Sequence, residues 1–161
     1  MMTTLVVYYS LSGNTRTVAT ALAQRLGADI EEIRCSRYTR SFSGFLRACY
    51  DSWRGYLPQL EPLQHAPSRY DLVVVGGPIW AWHPAPPVRA FLRQEASRIP
   101  AMAFLLTHGG AAAQQSLREM EQLAGQAPTA TLVVREVDIK NGGFEAAVSS
   151  FASTLQKQQA A

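Results

Sequence analysis

The residues Ser10-Leu11-Ser12-Gly13-Asn14-Thr15-Arg16 follow directly on an apolar run, Thr4-Leu5-Val6-Val7-Tyr8-Tyr9. After them Val18, Leu22 and Leu26 recur at a spacing of four, with Ala19, Ala21 and Ala23 between. This pattern predicts a buried strand, a tight polar loop and a helix, in that order. Such a loop can aim several hydroxyls and backbone N–H groups at one point. That point is also the positive end of a helix dipole, which favours phosphate.

The loop's composition narrows the ligand. It holds three hydroxyl residues, one amide and Gly13, a position where backbone can approach closely. It lacks the Lys and the glycine spacing of a nucleoside-triphosphate loop, and it is not G-x-G-x-x-G. It contains no Cys. Cys35 and Cys49 each have an Arg five positions on (Arg40 and Arg54), one short of the spacing of a cysteine phosphatase loop. A hydroxyl-rich cradle without a cation suits a phosphate that is held rather than transferred. An ordinary Ser/Thr helix cap would use the same residue types.

Further apolar runs follow at Leu72–Val75, Ala101–Leu106 and Thr131–Val137, with Asp29–Arg34 as a weaker candidate. The runs Leu5–Tyr9, Leu72–Val75 and Ala101–Leu106 are nearly continuous, as in parallel strands covered on both faces. Helical patterns at Thr15–Leu26, Pro86–Arg98, Ala112–Leu123 and Phe144–Gln156 alternate with them. Alternation of this kind predicts an α/β fold with right-handed crossovers, a single doubly wound parallel sheet of five strands. Residues 1–161 read as one domain, with no repeat and no linker. No apolar segment reaches the roughly 20 residues that span a bilayer. The first apolar run lacks the basic flank of a signal peptide. Two cysteines make neither a disulfide framework nor a zinc site, so free buried thiols and a cytoplasmic location are the expectation.

A strand, then S-x-S-G-N-T, then an Ala-rich helix resembles the phosphate loop of the flavodoxin family. Two more segments lie where that family places its other FMN loops. One is Gly76-Gly77-Pro78-Ile79-Trp80-Ala81-Trp82-His83-Pro84, and the other is Thr107-His108-Gly109-Gly110-Ala111. The resemblance implies the strand order 2-1-3-4-5, with ligand at the carboxyl ends of strands 1 and 3. It implies FMN as cofactor. Ser10, Leu11, Ser12, Gly13, Asn14 and Thr15 would hold the phosphate. Pro78, Ile79, Trp80, Ala81 and Trp82 would wall the ring, with Trp80 the first choice for stacking. Thr107, His108, Gly109 and Gly110 would bring backbone to its polar edge. His83 and His108 are candidate proton donors, since histidine titrates near neutral pH. His65 is assigned no role, and no metal-ligand spacing is present. The family often has a glycine after the position of Trp80, at a peptide that turns over with the flavin's redox state. Here Ala81, Trp82 and His83 follow instead.

What the resemblance implies about activity is an electron carrier. The alternatives are an FMN-dependent NAD(P)H:quinone-type oxidoreductase and a flavin-free binding module of the same fold. The partners would be a redox protein, or NAD(P)H with a small acceptor such as a quinone, with no membrane span and no nucleic acid. Flavodoxins are typically acidic, whereas this chain has a net charge of +3. A basic surface weakens encounter with a basic partner. The glycines of the third loop leave one side of the ring less covered than in a shuttle, which suits a hydride donor or a quinone. Much of the charge excess is arginine between Arg34 and Arg54, interleaved with aromatics. Phe42, Phe45, Leu46, Cys49 and Trp53 share one helical face, while Arg40, Arg47, Asp51 and Arg54 tend to the other. A crossover helix with a solvated basic face is the simplest reading. A docking surface for an acidic partner or an NADPH phosphate is the functional one.

Overall fold

Alternating side chains on three adjacent strands divide the interior into two layers. We describe residues 2–161 in a computed structural model. The strands are β1 (Thr4–Tyr8), β2 (Asp29–Glu32), β3 (Leu72–Trp80), β4 (His83–Pro84), β5 (Met102–His108) and β6 (Thr131–Arg135). The helices are α1 (Asn14–Leu26), α2 (Phe42–Arg54), α3 (Pro86–Glu95), α4 (Ala113–Ala124), α5 (Glu136–Lys140) and α6 (Glu145–Ala160). The sheet runs β2-β1-β3-β5-β6, all parallel, which is the expected five-strand order. The two-residue β4 folds back antiparallel on the end of β3 and is a sixth strand that the sequence reading did not contain. No helix among the described residues is long and apolar enough to cross a membrane.

The nearly continuous apolar runs now have a cause. Leu5, Val7, Val73, Val75, Phe104 and Leu106 face one layer with Phe91, Leu92 and Met120. Val6, Leu72, Val74, Ala103 and Leu105 face the other with Leu22, Phe151 and Leu155. Both faces of each central strand are buried, so period-two alternation of polarity is absent. Burying each large side chain contributes about 1.5–3 kcal/mol before the entropy of ordering is counted.

Several boundaries differ from the sequence expectation, among them the end of β5, which takes in Thr107 and His108, read as loop. The run Thr131–Val137 ends as a strand at Arg135, because Glu136 and Asp138 open the short helix α5. The helix expected over Pro86–Arg98 is α3 followed by a 3-10 turn at Ala96–Arg98. Pro78, Ile79 and Trp80, read as loop, belong to β3. The thiols are free, as expected, but Cys35 and Cys49 are only half-buried.

The largest difference concerns α2. Its buried side is Gly44, Ala48, Asp51 and Ser52, and its aromatic side faces solvent. Small residues let the helix lie close to the body. Asp51 is drawn inward because Arg37 Nε donates to it at 2.6 Å and the Tyr38 hydroxyl at 2.9 Å. Burial alone would raise the Asp51 pKa, but these two donors reverse the shift and hold the carboxyl below its usual range.

Gly77 sets how closely α3 approaches the sheet. A Cβ there would collide with Val88 Cγ2. We expect Gly77→Ala to lower stability by about 1–3 kcal/mol in urea unfolding. The cost should shrink in a Val88→Ala background, where that methyl is gone. Equal costs in both backgrounds would remove this contact as the cause.

Candidate functional site

The chain leaves β1 through Tyr9 and enters α1 at Gly13, whose φ of +99° lies in a region that glycine adopts without strain. Gly13 N–H donates to Ser10 Oγ at 3.1 Å, which closes the loop on itself. No side chain caps α1, and its first turn has no acidic residue. The helix therefore starts with free N–H groups and an uncompensated positive dipole end. Ser12 is exposed, Asn14 half-buried and Ser10 buried. Arg16 is paired with Glu32.

Thr15 is buried at the base of this loop and shares a 2.8 Å hydrogen bond with Thr107 at the end of β5. Pro78 lies opposite Thr107 in the β3–β5 ladder, and Tyr9 N–H donates to the Gly76 carbonyl. These links bring all three predicted loops to one end of the sheet, at the carboxyl ends of β1, β3 and β5. A cavity of about 510 Å³ lined by Arg118, Gln122 and Gln126 lies elsewhere, at the C-terminal end of α4.

The middle loop is a tight hairpin. Trp80 pairs with His83, and the two residues between them both have positive φ, +46° at Ala81 and +69° at Trp82. Glycine or asparagine usually fills such a turn. A side chain in this region costs of order 1–3 kcal/mol, so the surroundings must hold it. Ser52 Oγ donates to the Trp80 carbonyl at 2.6 Å, and Arg89 donates to both the Ser52 carbonyl and Ser52 Oγ. Arg89 also donates to Glu119 Oε1, and Glu119 Oε2 accepts from His83 Nδ1 at 2.7 Å. Burial pushes the Arg89 pKa down, and Glu119 opposes that shift. Trp80 packs edge-on against Tyr9 and Tyr38, at ring-centre distances of 5.5 and 5.4 Å, so its ring is fixed. Trp82 projects into solvent.

The third loop begins at His108 and continues through exposed Gly109 and Gly110 to Ala112, another positive-φ residue, at the uncapped start of α4. His108 Nδ1 and the Tyr9 hydroxyl are buried without a hydrogen-bond partner. Burial also raises the Tyr9 pKa. Orphaned buried polar atoms are costly unless a ligand or water completes them. Two of the three found among the described residues sit beside these loops, the third being Arg89 Nε. His65 lies away from the site, bonded to Glu31.

Sequence reasoning placed Ser10 to Thr15, Pro78 to His83 and Thr107 to Gly110 at this end of the sheet. It missed Tyr9, Tyr38, Ser52, Arg89 and Glu119. Arg89 did leave a signal: a cation in Pro86-Pro87-Val88-Arg89-Ala90-Phe91-Leu92 has to lie among buried residues, so it needs an acidic partner.

The family model described as Flavodoxin matches residues 3–146. Among solved structures, a flavoprotein from Lactobacillus acidophilus in complex with FMN is 21% identical, with a TM-score of 0.72, and the match covers 88% of this chain and 98% of that one. A flavodoxin, WrbA-like protein from Agrobacterium tumefaciens is 16% identical, with a TM-score of 0.64 and coverage of 99% and 98%. Two-electron reduced Megasphaera elsdenii flavodoxin is 17% identical, with a TM-score of 0.58 and coverage of 94% and 98%. At these identities the likeness is one of fold. No curated protein matches the chain at a significant level.

Two substitutions test the hairpin's supports. Glu119→Ala leaves the Arg89 guanidinium buried without its counter-charge and should cost about 3 kcal/mol of stability. Glu119→Gln, which keeps an acceptor, should cost less. Ala81→Gly should stabilise the fold by up to about 1 kcal/mol and so raise the melting temperature, because it removes strain at positive φ. Thermal unfolding of the three variants decides both points.

Proposed function

Because this chain belongs to the flavodoxin family, matched over residues 3–146 of 161, we propose that it is an FMN-binding redox protein that carries electrons to and from a partner. One observation supports this above the rest. The uncapped N-terminus of α1, ringed by Ser10, Ser12 and Asn14, is tied through Thr15 to the loop after β5. That cradle fits a phosphate monoester, and the two orphaned atoms beside it fit a ligand with further polar edges. FMN, when bound, supplies one- and two-electron storage.

The remaining roles belong to the chain's own groups. Ser10, Ser12 and the N–H groups at the start of α1 bind the phosphate. Thr15 has one hydroxyl hydrogen. If Thr107 donates to Thr15, that hydrogen is released toward the phosphate, so Thr107 orients the donor without touching the ligand. The Trp80–His83 hairpin walls the ring, with Trp80 locked by Tyr9 and Tyr38 and Trp82 free to close over it. Glu119 holds His83 by Nδ1, which leaves Nε2 as the atom that takes up or gives a proton.

A specific observation favours a second reading. Gly109 and Gly110 are exposed and carry no side chain that could cover the ring. An open side admits a hydride donor or a small acceptor, as in an NAD(P)H:quinone-type oxidoreductase. Steady-state oxidation of NADH or NADPH by FMN-loaded protein, with and without a quinone, separates the two. Turnover supports the enzyme, and its absence supports the carrier.

Titration of apoprotein with FMN tests the site itself. Ser12→Ala with Thr15→Ala removes two charge-assisted hydrogen bonds, each worth about 1.5–3 kcal/mol. Affinity should fall at least about 100-fold. An unchanged Kd would overturn the phosphate assignment. Trp80→Ala should weaken FMN binding more than Trp53→Ala, which lies outside the site.

A further inference from the structure

The outward face of α2 is apolar, and no other part of the described residues covers it. Phe42 is 77% exposed, Phe45 59%, Leu46 51%, Tyr50 54% and Trp53 66%. On a helix these positions form one stripe. Single exposed apolar side chains are ordinary, but a contiguous stripe marks an interaction surface. The face is not exposed because the helix is loose. Ser41 caps its start, and Asp51 and Ser52 anchor the opposite side through Arg37, Tyr38 and Arg89. The anchors that fix the helix also fix its aromatics outward.

The charge along this face is of one sign. Arg47 and Arg54, spaced by seven on α2, follow one edge of the stripe, and Arg40 lies just before the Ser41 cap. None of the three forms an ion pair among the described residues, and Arg54 lies 5.3 Å over the Tyr50 ring. Asp51 is the sole acid between Glu32 and Glu61, and it is buried against Arg37. A second copy packed antiparallel on this face would set the arginine edge against itself. An acidic protein would satisfy the charge but would need a groove shaped to a ridge of four aromatics. An anionic bilayer surface needs no such fit. Trp and Tyr suit its headgroup level, Phe and Leu the acyl boundary, and Arg the lipid phosphates.

We propose that α2 docks the protein on the surface of a membrane that contains anionic phospholipid, without spanning it. The Phe42–Trp53 stripe enters the interfacial layer, and Arg40, Arg47 and Arg54 meet headgroup phosphates. The helix is already folded, so docking carries no ordering cost for its backbone. This inference does not depend on the cofactor.

Sedimentation with vesicles of phosphatidylcholine, alone or mixed with phosphatidylglycerol, tests it on the whole protein. We expect binding to the mixed vesicles, weakened by added salt, with a blue shift of tryptophan emission that Trp53→Phe removes. Replacing Arg40, Arg47 and Arg54 together by Gln should weaken binding about 100-fold, the worth of three surface cations at an anionic leaflet. Phe45→Ser with Trp53→Ser should abolish it. Both sets alter outward side chains only, and circular dichroism confirms that the fold is kept. Failure of the wild-type protein to bind mixed vesicles overturns the proposal. So does binding that survives both sets of substitutions. Sedimentation equilibrium without lipid supplies the remaining outcome: a dimer dissolved by Phe45→Ser with Trp53→Ser, in a protein that ignores vesicles, would assign the face to a second copy.

Discussion

One buried guanidinium holds the working end of this molecule together. Arg89 enters on α3, in an otherwise apolar turn, and ties it to two separate pieces of chain. It donates to the carbonyl and hydroxyl of Ser52 on α2 and to Glu119 on α4. Through Ser52 it fixes the Trp80 carbonyl, and through Glu119 it fixes His83. A buried cation needs its charge met and most of its donors engaged, and here only Nε lacks a partner among the described residues, so the three elements have to stay together. The strained hairpin is held by that requirement, and the orientation of α2 follows from it as well.

The frame was legible in the sequence wherever the signal was local. Thr4–Tyr9 followed by Ser10–Thr15 specifies strand, loop and helix through neighbours in the chain alone. Leu72–Val75 and Ala101–Leu106 announce burial on both faces. The hairpin was not legible. Ile79-Trp80-Ala81-Trp82-His83-Pro84 contains none of the Asn-Gly or Gly-Gly pairs that mark a two-residue turn, because its geometry is imposed by Ser52, 28 residues from Trp80, and Glu119, 36 residues from His83, with Arg89 joining the two. Likewise, the periodicity of α2 showed that one face is apolar but not which way it points. Hydrophobic burial would have turned Phe45 and Trp53 inward. The hydrogen bonds of Asp51 and Ser52 turned them outward, and those partners are invisible to a helical wheel.

The basic balance of the chain gains a location from the same helix. Of the arginines between Arg34 and Arg54, Arg37 is neutralised by Asp51. Among the described residues Arg40, Arg47 and Arg54 have no such partner; Arg47 and Arg54 share one edge of an aromatic stripe, and Arg40 lies just before its helix. The net positive charge is thus partly a local property of one surface. Acidic residues elsewhere are largely taken up in pairs, such as Glu32 with Arg16 and Glu145 with Arg25.

The contact between Gly77 and Val88 has a consequence for motion. With the start of α3 seated directly on β3, and Pro86 and Pro87 stiffening that start, the helix has no room to slide along the sheet. Displacement at the mouth of the site falls instead to short exposed pieces, the Trp82 side chain on one side and Gly109–Ala111 on the other. Segments of that size fluctuate in nanoseconds to microseconds, whereas the frame beneath them moves only in slow, sub-global opening. Access to the site is therefore fast and local, and the spacing between its three walls is as long-lived as the fold.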